Sequence, residues 1–423
     1  MSLTTYRRLL GGERRLRLAL TAAFLGRLPL GLVTVLLLFA VGTEGRSLGL
    51  ASLVSAAAVV GMAVGAPVQG RLLDRLPPAR VTACCAALQV VALLALAWSL
   101  TSAPSWAVVV LSFTQGATVP SLSACVRLVL RRSIGRDDPG PAFSLDAVVM
   151  EVIYLTGPAV AAWGTVLIGP ELLLTACALL VAAGTAGFLA AARGSWLVPL
   201  PPEGDEESGG AAAAGTRLGP VVCFVLAMAL VAAPFGMSEV ALTRLAAEQG
   251  SGLGPVGSTL TLMGLGSVVG GLAYGAVRWR SGPGRRFRLL ALGLGLGLTA
   301  TALTSGFAPA HLLFALAGLC VAPLAGLSFE ILDRIGLVGA WMQTQSWGSV
   351  ANTAGHAGGL ALAGALAGSV GASGVFWLTG AAVLLGVLIA GPALAELRRL
   401  DRSPAAPDRT PRPVPEPAAP TAQ

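Results

Sequence analysis

The chain has 423 residues, of which 55% are apolar and only 11% are charged, and its formal net charge is +8. A soluble domain usually carries about a quarter of its residues as charged side chains, so this composition excludes an ordinary water-soluble globule and indicates a chain surrounded by lipid. The basic residues form short clusters between apolar runs, with little of the aromatic interleaving that base stacking uses, so the composition argues against nucleic-acid binding.

Apolar runs of about 20 residues, long enough to cross a membrane, recur along the whole chain. They cover residues 16–41, 48–69, 81–100, 106–129, 143–168, 172–191, 218–240, 256–277, 289–307, 311–332, 340–366 and 371–394. Lipid offers no hydrogen-bond partners to a backbone, and each run has the length of a membrane helix. The sequence therefore predicts an all-α polytopic membrane protein with twelve transmembrane helices.

The basic residues, which are all arginines, predict the orientation. With the N-terminus inside, 25 of the 28 arginines fall in cytoplasmic segments, whereas Arg46 and Arg244 fall outside and Arg27 lies within the first run. Such a bias toward the cytoplasmic side is typical of membrane proteins. We expect a multi-pass protein of the cell membrane with both termini in the cytoplasm.

An internal repeat divides the chain into two parts. A shift of 205 positions aligns eight pairs of identical residues: Pro29 and Pro234, Gly31 and Gly236, Gly61 and Gly266, Gly65 and Gly270, Gly70 and Gly275, Arg75 and Arg280, Pro78 and Pro283, and Arg80 and Arg285. Six helices per part, each part starting on the same side, predict two halves related by a pseudo-two-fold axis along the membrane normal. The predicted units are an N-terminal half (1–198), a flexible linker (199–217), a C-terminal half (218–397) and a disordered proline-rich tail (398–423).

The loop after the second run carries a recognisable motif, Gly70-Arg-Leu-Leu-Asp74-Arg75-Leu-Pro77-Pro-Ala-Arg80. It resembles the Gly-x-x-x-Asp-Arg-x-Gly-Arg signature of the major facilitator superfamily, although Pro77 replaces the second glycine and the last arginine is displaced to Arg80. The second half has a degenerate copy after Gly275.

A second short motif, Gly157-Pro158 in the fifth run, is similar to part of the Gly-Pro signature of the superfamily's proton-driven drug antiporters, but it lacks the flanking glycines.

The resemblance implies a conformational latch that consists of Gly70, Asp74, Arg75, Arg80 and Arg280. Asp74 would lie at the N-terminus of a helix in the opposite half, where the helix dipole favours a negative charge, and the arginines would reach carboxylates. The alternative is that the arginines only enforce orientation.

Two ionisable residues, Arg27 and Glu151, lie at similar depths of about 13 Å within the first and fifth runs. Such groups are kept in membranes mainly where they line a pathway or pair with each other. Since the family's fold would place both helices beside a cavity, we expect Arg27 to face Glu151, with Glu151 as the proton-binding carboxylate. A static buried ion pair is the alternative. Asp146 lies about 140° around the helix from Glu151, so we expect it to pair with Arg127 or Arg131.

Polar side chains at helical spacing form a stripe on the eleventh run, namely Gln345, Ser349, Asn352 and His356. The resemblance implies that this helix lies between the halves, so we expect the stripe to line a substrate cavity. Helix–helix hydrogen bonding is the alternative, and His356 either takes part in proton coupling or is held by its neighbours. Further candidates for the cavity lining are Thr34, Gln115, Thr118 and Tyr154.

Glu239 and Glu330 lie near the ends of the seventh and tenth runs. They are interpreted as gate residues or as interfacial charges.

These features predict a secondary transporter that works by alternating access. The apolar cavity helices favour proton-coupled export of a small, fairly apolar compound, such as a drug or natural product. An importer of a sugar or other metabolite would need a denser array of polar groups, and a non-transporting sensor would tolerate the loss of Glu151. The expected partners are the substrate, protons and the lipid bilayer, and we expect a monomer.

The sequence does not point to an enzyme, a metal site or a cofactor. The six cysteines lie inside apolar runs without metal-like spacing, the two histidines (His311 and His356) are far apart, and no pairing of a nucleophile with a base stands out.

Overall fold

The computed structural model describes residues 14–43, 48–134, 140–192, 210–251, 254–277, 279–304, 306–337 and 340–402. Within these ranges the chain is helical and contains no strand. The helices are α1 (Arg14–Thr43), α2 (Leu48–Arg75), α3 (Pro78–Ser102), α4 (Ser105–Ala117), α5 (Leu122–Ile134), α6 (Gly140–Ile168), α7 (Pro170–Ala191), α8 (Gly210–Glu248), α9 (Gly254–Ala276), α10 (Pro283–Ala300), α11 (Phe307–Gly318), α12 (Val321–Ile335), α13 (Trp341–Ile389) and α14 (Gly391–Arg402).

Most of these helices are long and apolar enough to span a membrane. Ten segments of the described residues qualify, and the bent pair Ala142–Gly157 and Val160–Ile168 within α6 brings the number to eleven. Large apolar side chains such as Trp98, Trp163 and Leu388 are largely exposed on their outer faces. Because water would not tolerate so much exposed apolar surface, lipid must cover it, and the chain is a multi-pass membrane protein.

Glycines let neighbouring helices approach closely. A Cβ atom at Gly61 would collide with the carbonyl oxygen of Phe113, and one at Gly65 with that of Ala117, so α2 and α4 pack with their backbones in contact. Small residues at such contacts are the usual way in which membrane helices pack.

The same packing recurs between α9 and α11, where Gly266 and Gly270 meet the carbonyl oxygens of Ala315 and Leu319. These two glycines are the ones that the shift of 205 positions aligns with the α2 pair. The repeated glycines therefore occupy corresponding contacts in two different helix pairs.

A break divides the fourth apolar run into α4 and α5, and Gln69 of α2 bridges it. Its Nε2 donates hydrogen bonds to the carbonyl oxygens of Ala117 (3.0 Å) and Val119 (2.9 Å), and its Oε1 accepts one from the backbone N–H of Ser121 (3.2 Å). Irregular backbone at membrane depth is tolerated only where its free groups find partners. Gln69, the last residue of the predicted apolar run 48–69, supplies those partners.

Two predicted boundaries differ from the structure. Helix α8 begins at Gly210, inside the predicted linker, and α14 runs to Arg402, beyond the predicted start of the tail. α14 continues as a helix because Leu394 and Leu397 are buried at its contact with the bundle. The rest of the predicted linker (199–209) and of the predicted tail (403–423) lies outside the described residues.

A single glycine interrupts the longest helix, α13. Gly371 has a φ of 68°, a left-handed conformation that glycine adopts without steric cost. The next N–H, that of Ala372, donates a hydrogen bond to Glu248 at the end of α8 (3.2 Å). The chain therefore turns at Gly371.

Candidate functional site

Asp74, near the end of α2, lies at the N-terminus of α13. Its Oδ1 accepts a hydrogen bond from the N–H of Met342 (2.8 Å), and its Oδ2 accepts one from the N–H of Gln343 (2.9 Å). The first N–H groups of a helix have no acceptor within the helix, and the helix dipole favours a negative charge beside them. The predicted position of Asp74 at the N-terminus of a helix in the other half of the sequence is confirmed.

The remaining residues of the predicted latch behave differently from one another. Gly70 is needed for close packing, because a Cβ atom there would come within 2.7 Å of the Ser346 hydroxyl oxygen. Arg75, Arg80 and Arg280 are exposed, and none of them forms an ion pair with another described residue. The expected contacts of these arginines with carboxylates are therefore not formed within the part of the chain that the structure describes.

Two contacts one helical turn apart join α5 to α12. Arg131 forms an ion pair with Asp333 (2.9 Å), whose Oδ1 also accepts a hydrogen bond from the indole N–H of Trp341 (2.8 Å). The guanidinium of Arg127 lies over the ring of Phe329, 3.9 Å from its centroid. We call the end of the bundle that contains these contacts and Asp74 the arginine-rich end.

Arg27 of α1 takes part in a buried charge network near the start of α6, at the arginine-rich end of the bundle. Its Nη1 lies 2.5 Å from Asp146 Oδ1, and Asp146 Oδ2 lies 3.5 Å from Nη1 of Arg127. The prediction that Arg27 pairs with Glu151 is wrong, whereas the prediction that Asp146 pairs with Arg127 is confirmed. Side chains in a helix lean toward its N-terminus, so the guanidinium of Arg27 lies nearer the arginine-rich end than its own Cα atom and meets Asp146.

Glu151 faces a different helix. Its carboxyl group lies beside the hydroxyl of Ser267 on α9, and this hydroxyl oxygen accepts a hydrogen bond from the N–H of Ala322 at the start of α12 (3.1 Å). Val148 and Leu155, on either side of Glu151 along the same face, pack on glycines of α9. Glu151 therefore lies at the contact between α6 and α9, which belong to different predicted halves.

Tyr154 marks a cavity inside the bundle. Its side chain is 50% exposed, yet it follows Glu151 by three residues within the part of α6 that precedes the bend. Residues three apart lie on the same face of a helix, so Tyr154 faces the interior with Glu151. Because an interior side chain keeps accessible surface only beside an open space, α6 borders a central cavity.

His356 of α13 and Glu239 of α8 form a partly exposed pair. His356 Nε2 lies 3.0 Å from Glu239 Oε1, and the side chains are 45% and 41% exposed. Glu239, interpreted from the sequence as a gate residue or an interfacial charge, therefore lies at the contact between α8 and α13.

Two glycines that the shift of 205 positions aligns make similar contacts beside Tyr154 and at His356. Gly31 of α1 packs on the carbonyl oxygen of Ile153, and Gly236 of α8 packs on that of His356. Both are close contacts between the backbones of neighbouring helices.

Other predicted lining residues are less accessible. Gln345 and Gln115 are buried, and the side-chain amide of Gln345 donates a weak hydrogen bond to the carbonyl oxygen of Phe329 (3.5 Å). Neither contributes accessible surface in this conformation, because both lie where helices are in contact. The remaining candidates are half-buried: Thr34, Thr118, Ser349 and Asn352.

Glu330 was interpreted as a gate residue or an interfacial charge, but it is neither in this structure. It is fully buried, 2.8 Å from Arg334 and 3.6 Å from Arg286, and Arg286 also donates a hydrogen bond to the hydroxyl of Tyr274 (2.6 Å). The spacing of Glu330 and Arg334, four residues along a helix, was the sequence signal that could have revealed this network.

Among the described residues, no three His, Cys, Asp or Glu side chains come together as a metal site would require.

Comparisons with known proteins agree with this architecture. The family model described as Major Facilitator Superfamily matches residues 18–348, and no curated protein sequence matches significantly. One similar solved structure is the human organic anion transporter MFSD10 (TETRAN), with a TM-score of 0.67 and 17% identity over 89% of this chain and 100% of that one. Another is a bacterial homologue of the iron transporter ferroportin in an outward-facing state, with a TM-score of 0.67 and 17% identity over 92% of this chain and 100% of that one. The Escherichia coli fucose:proton symporter FucP has a TM-score of 0.70 and 15% identity over 89% of this chain and 97% of that one. Identities this low show the fold alone.

Proposed function

The chain belongs to the Major Facilitator Superfamily, whose model matches most of its length, and on this premise we propose that it exports a small, fairly apolar compound in exchange for protons by alternating access. The observation that carries this proposal is a carboxylate, Glu151, at the contact between two helices of different halves and beside an accessible cavity. Proton binding at such a position can bias the two halves between conformations.

The proposed architecture is twelve membrane helices in two halves of six. Helix α13 has 49 residues, which at about 1.5 Å per residue would extend about 73 Å, more than twice the hydrocarbon thickness of about 30 Å. The turn at Gly371 divides it into two spans and raises the number of spans from eleven to twelve. The corresponding packing of Gly61 and Gly266 supports two halves of the same design.

The distribution of arginines supports a cytoplasmic location for the arginine-rich end and for both termini. We further propose that the protein lies in the cell membrane and functions as a monomer. The contacts of Asp74, Arg127 and Arg131 join the two halves at that end. The half-exposed Tyr154 and His356 lie farther toward the opposite end. We therefore assign this conformation to the outward-facing state, with Asp74 acting as the latch.

Glu151 is the proposed proton-binding residue. Its carboxyl group lies beside the hydroxyl of Ser267, and Ser267 accepts a hydrogen bond from the backbone N–H of Ala322 in α12. Protonation removes a negative charge from the contact between α6 and α9, so the relative stability of the two conformations changes with proton binding. Export follows if the proton enters from the outside and the substrate enters from the cytoplasm.

The test uses proteoliposomes with an imposed pH gradient and a panel of apolar fluorescent dyes. For a dye that is transported, reversal of the gradient is expected to reverse the direction of flux. Glu151→Gln is expected to abolish gradient-driven flux, whereas Glu171→Gln, a carboxylate at the start of α7, keeps it. Gradient-driven flux that persists in Glu151→Gln rules out the coupling role of this residue.

Two other functions were weighed. A sugar or metabolite importer needs many polar groups in its cavity, whereas several predicted lining residues of this chain are buried. A sensor that transports nothing would show no gradient-dependent flux of any compound and would tolerate Glu151→Gln. Asp74 and Glu151, the polar residues at the contact between the proposed halves, favour the transporter.

A further inference from the structure

Helix α10 lies beside the end of α13 and the start of α14. A Cβ atom at Gly284, near the start of α10, would lie 3.4 Å from Cδ2 of Leu394 in α14. About three turns farther along α10 and on the same face, Gly295 packs against Val383 of α13. The two contacts occur in opposite order along the two segments, so α10 runs antiparallel to α13 and α14. We call the surface between α10 and α14 at the arginine-rich end the α10–α14 groove.

The α10–α14 groove meets the lipid at the depth of the phospholipid headgroups. Leu289, Leu292 and Leu296 share one face of α10, because their spacings of three and four residues are helical, and Leu289 and Leu296 are 59% and 73% exposed. Arg285 lies on the same face, four residues before Leu289 and about 6 Å nearer the arginine-rich end. This arginine therefore lies where a lipid-facing apolar strip ends.

Two further arginines converge on the contact between the helices. Arg288 is about 40° around α10 from Gly284 and about 60° from Arg285, so it lies between the contact with α14 and the lipid-facing strip. Arg398 follows Leu394 of α14 by one turn. Side chains lean toward the N-terminus of their own helix, and the two helices are antiparallel. Arg288 and Arg398 therefore lean toward each other, to the level at which α10 touches α14.

No described carboxylate occupies these arginines. Arg285 and Arg398 are exposed and Arg288 is half-buried, and none of the three forms an ion pair within the ranges that the structure describes. Glu396 of α14 lies 3.7 Å from Arg399 and is about 160° around the helix from Leu394, so it faces away from the groove. Guanidinium groups bind phosphate oxygens in pairs of hydrogen bonds, and three of them surround this groove.

We propose that the α10–α14 groove binds an anionic phospholipid from the leaflet at the arginine-rich end. Arg285, Arg288 and Arg398 hold its phosphate, and its acyl chains lie along the leucine strip of α10. A zwitterionic phospholipid carries an ammonium group that offsets its phosphate, so clustered arginines select a headgroup with a net negative charge, such as that of phosphatidylglycerol. The site involves neither Glu151 nor the central cavity, so this proposal and the proposed transport function can fail independently.

The test measures lipid binding by native mass spectrometry of the delipidated full-length protein in detergent. The probes are phosphatidylglycerol and phosphatidylcholine with identical acyl chains. We expect phosphatidylglycerol to bind at least about tenfold more tightly, as a cluster of arginines near a headgroup should provide. Equal binding of the two lipids overturns the proposal.

A pair of double variants locates the charge that is responsible. Arg285→Gln with Arg398→Gln is expected to weaken phosphatidylglycerol binding by about tenfold or more. The matched control, Arg17→Gln with Arg71→Gln, removes the same charge from exposed positions in the N-terminal part of the chain and is expected to change binding by less than about twofold. If both double variants weaken binding equally, the arginines attract lipid only through the overall charge of the protein, and the proposal is wrong.

A soluble competitor separates a lipid site from a site for free phosphate compounds. Glycerol 1-phosphate has the phosphate of phosphatidylglycerol but no acyl chains to cover Leu289 and Leu292. An excess of it is expected to leave bound phosphatidylglycerol in place, because burial of the chains contributes to affinity. Displacement of the lipid by glycerol 1-phosphate at equal concentration would contradict the proposal.

Discussion

Loss of the carboxylate at position 74 is expected to open the arginine-rich end. In Asp74→Asn the side-chain oxygen can still accept one of the two N–H groups, those of Met342 and Gln343, but the amide cannot accept the other. A hydrogen bond to a charged group is worth about 1.5–3 kcal/mol, and the helix dipole adds about 0.3–1 kcal/mol. A loss of about 2 kcal/mol shifts the ratio of the two conformations roughly 30-fold.

The shift can be measured by pulsed electron–electron distance measurements between nitroxide labels in a cysteine-free background. Labels at Leu76 and Arg285 suit the measurement, because both residues are exposed at the arginine-rich end and belong to different halves. Asp74→Asn is expected to increase the population at longer distances. The control is Arg71→Gln, an exposed charge one turn earlier on α2, which should leave the distances unchanged. An unaltered distribution in folded Asp74→Asn protein refutes the latch.

Two further predictions concern stability and are checked by thermal unfolding in detergent, followed by tryptophan fluorescence. Gly31→Ala should destabilise the protein by about 2 kcal/mol or more, because the added Cβ atom would collide with the carbonyl oxygen of Ile153. The control is Gly364→Ala, where a Cβ atom would have nothing within 4 Å and the change should be neutral or slightly stabilising. Equal effects of the two substitutions would show that the close contact at Gly31 does not determine stability. Gln69→Leu should destabilise the protein by at least about 2 kcal/mol, because the carbonyl oxygens of Ala117 and Val119 lose their hydrogen-bond donor. An unfolding temperature equal to that of the wild type would show that the break between α4 and α5 does not need this side chain.

The helices could be predicted because lipid imposes a simple rule on a sequence. Every membrane span must be apolar and must satisfy its own backbone, so runs of apolar residues mark the spans directly. The position of Asp74 was implied by the resemblance of its loop motif to the superfamily's signature, and the physical reason is that a helix N-terminus attracts a carboxylate.

The partners of buried polar residues could not be predicted in the same way. The depth of Arg27 suggested Glu151, but the direction in which its side chain leans decides for Asp146. Gln69 binds backbone atoms of a break in another helix, which no spacing reveals. Gln345 is buried where α13 meets Phe329 of α12, a contact that the polar stripe on its own helix does not reveal.

The buried charges of the first half connect the proposed proton site to the contact between α5 and α12. Arg27, Arg127 and Asp146 together carry a charge of +1. In the proposed mechanism an ionised Glu151, five residues after Asp146 in the sequence, offsets this charge. Protonation of Glu151 then leaves one guanidinium charge without compensation where water is scarce, which is costly.

Arg127 of α5 also lies over the ring of Phe329 of α12. Separation of α5 from α12 would let water reach its guanidinium and would remove that cost. In the proposed mechanism, proton binding therefore favours opening at the arginine-rich end, and proton release favours its closure. This is the order of events that exchange of an external proton for a cytoplasmic substrate requires.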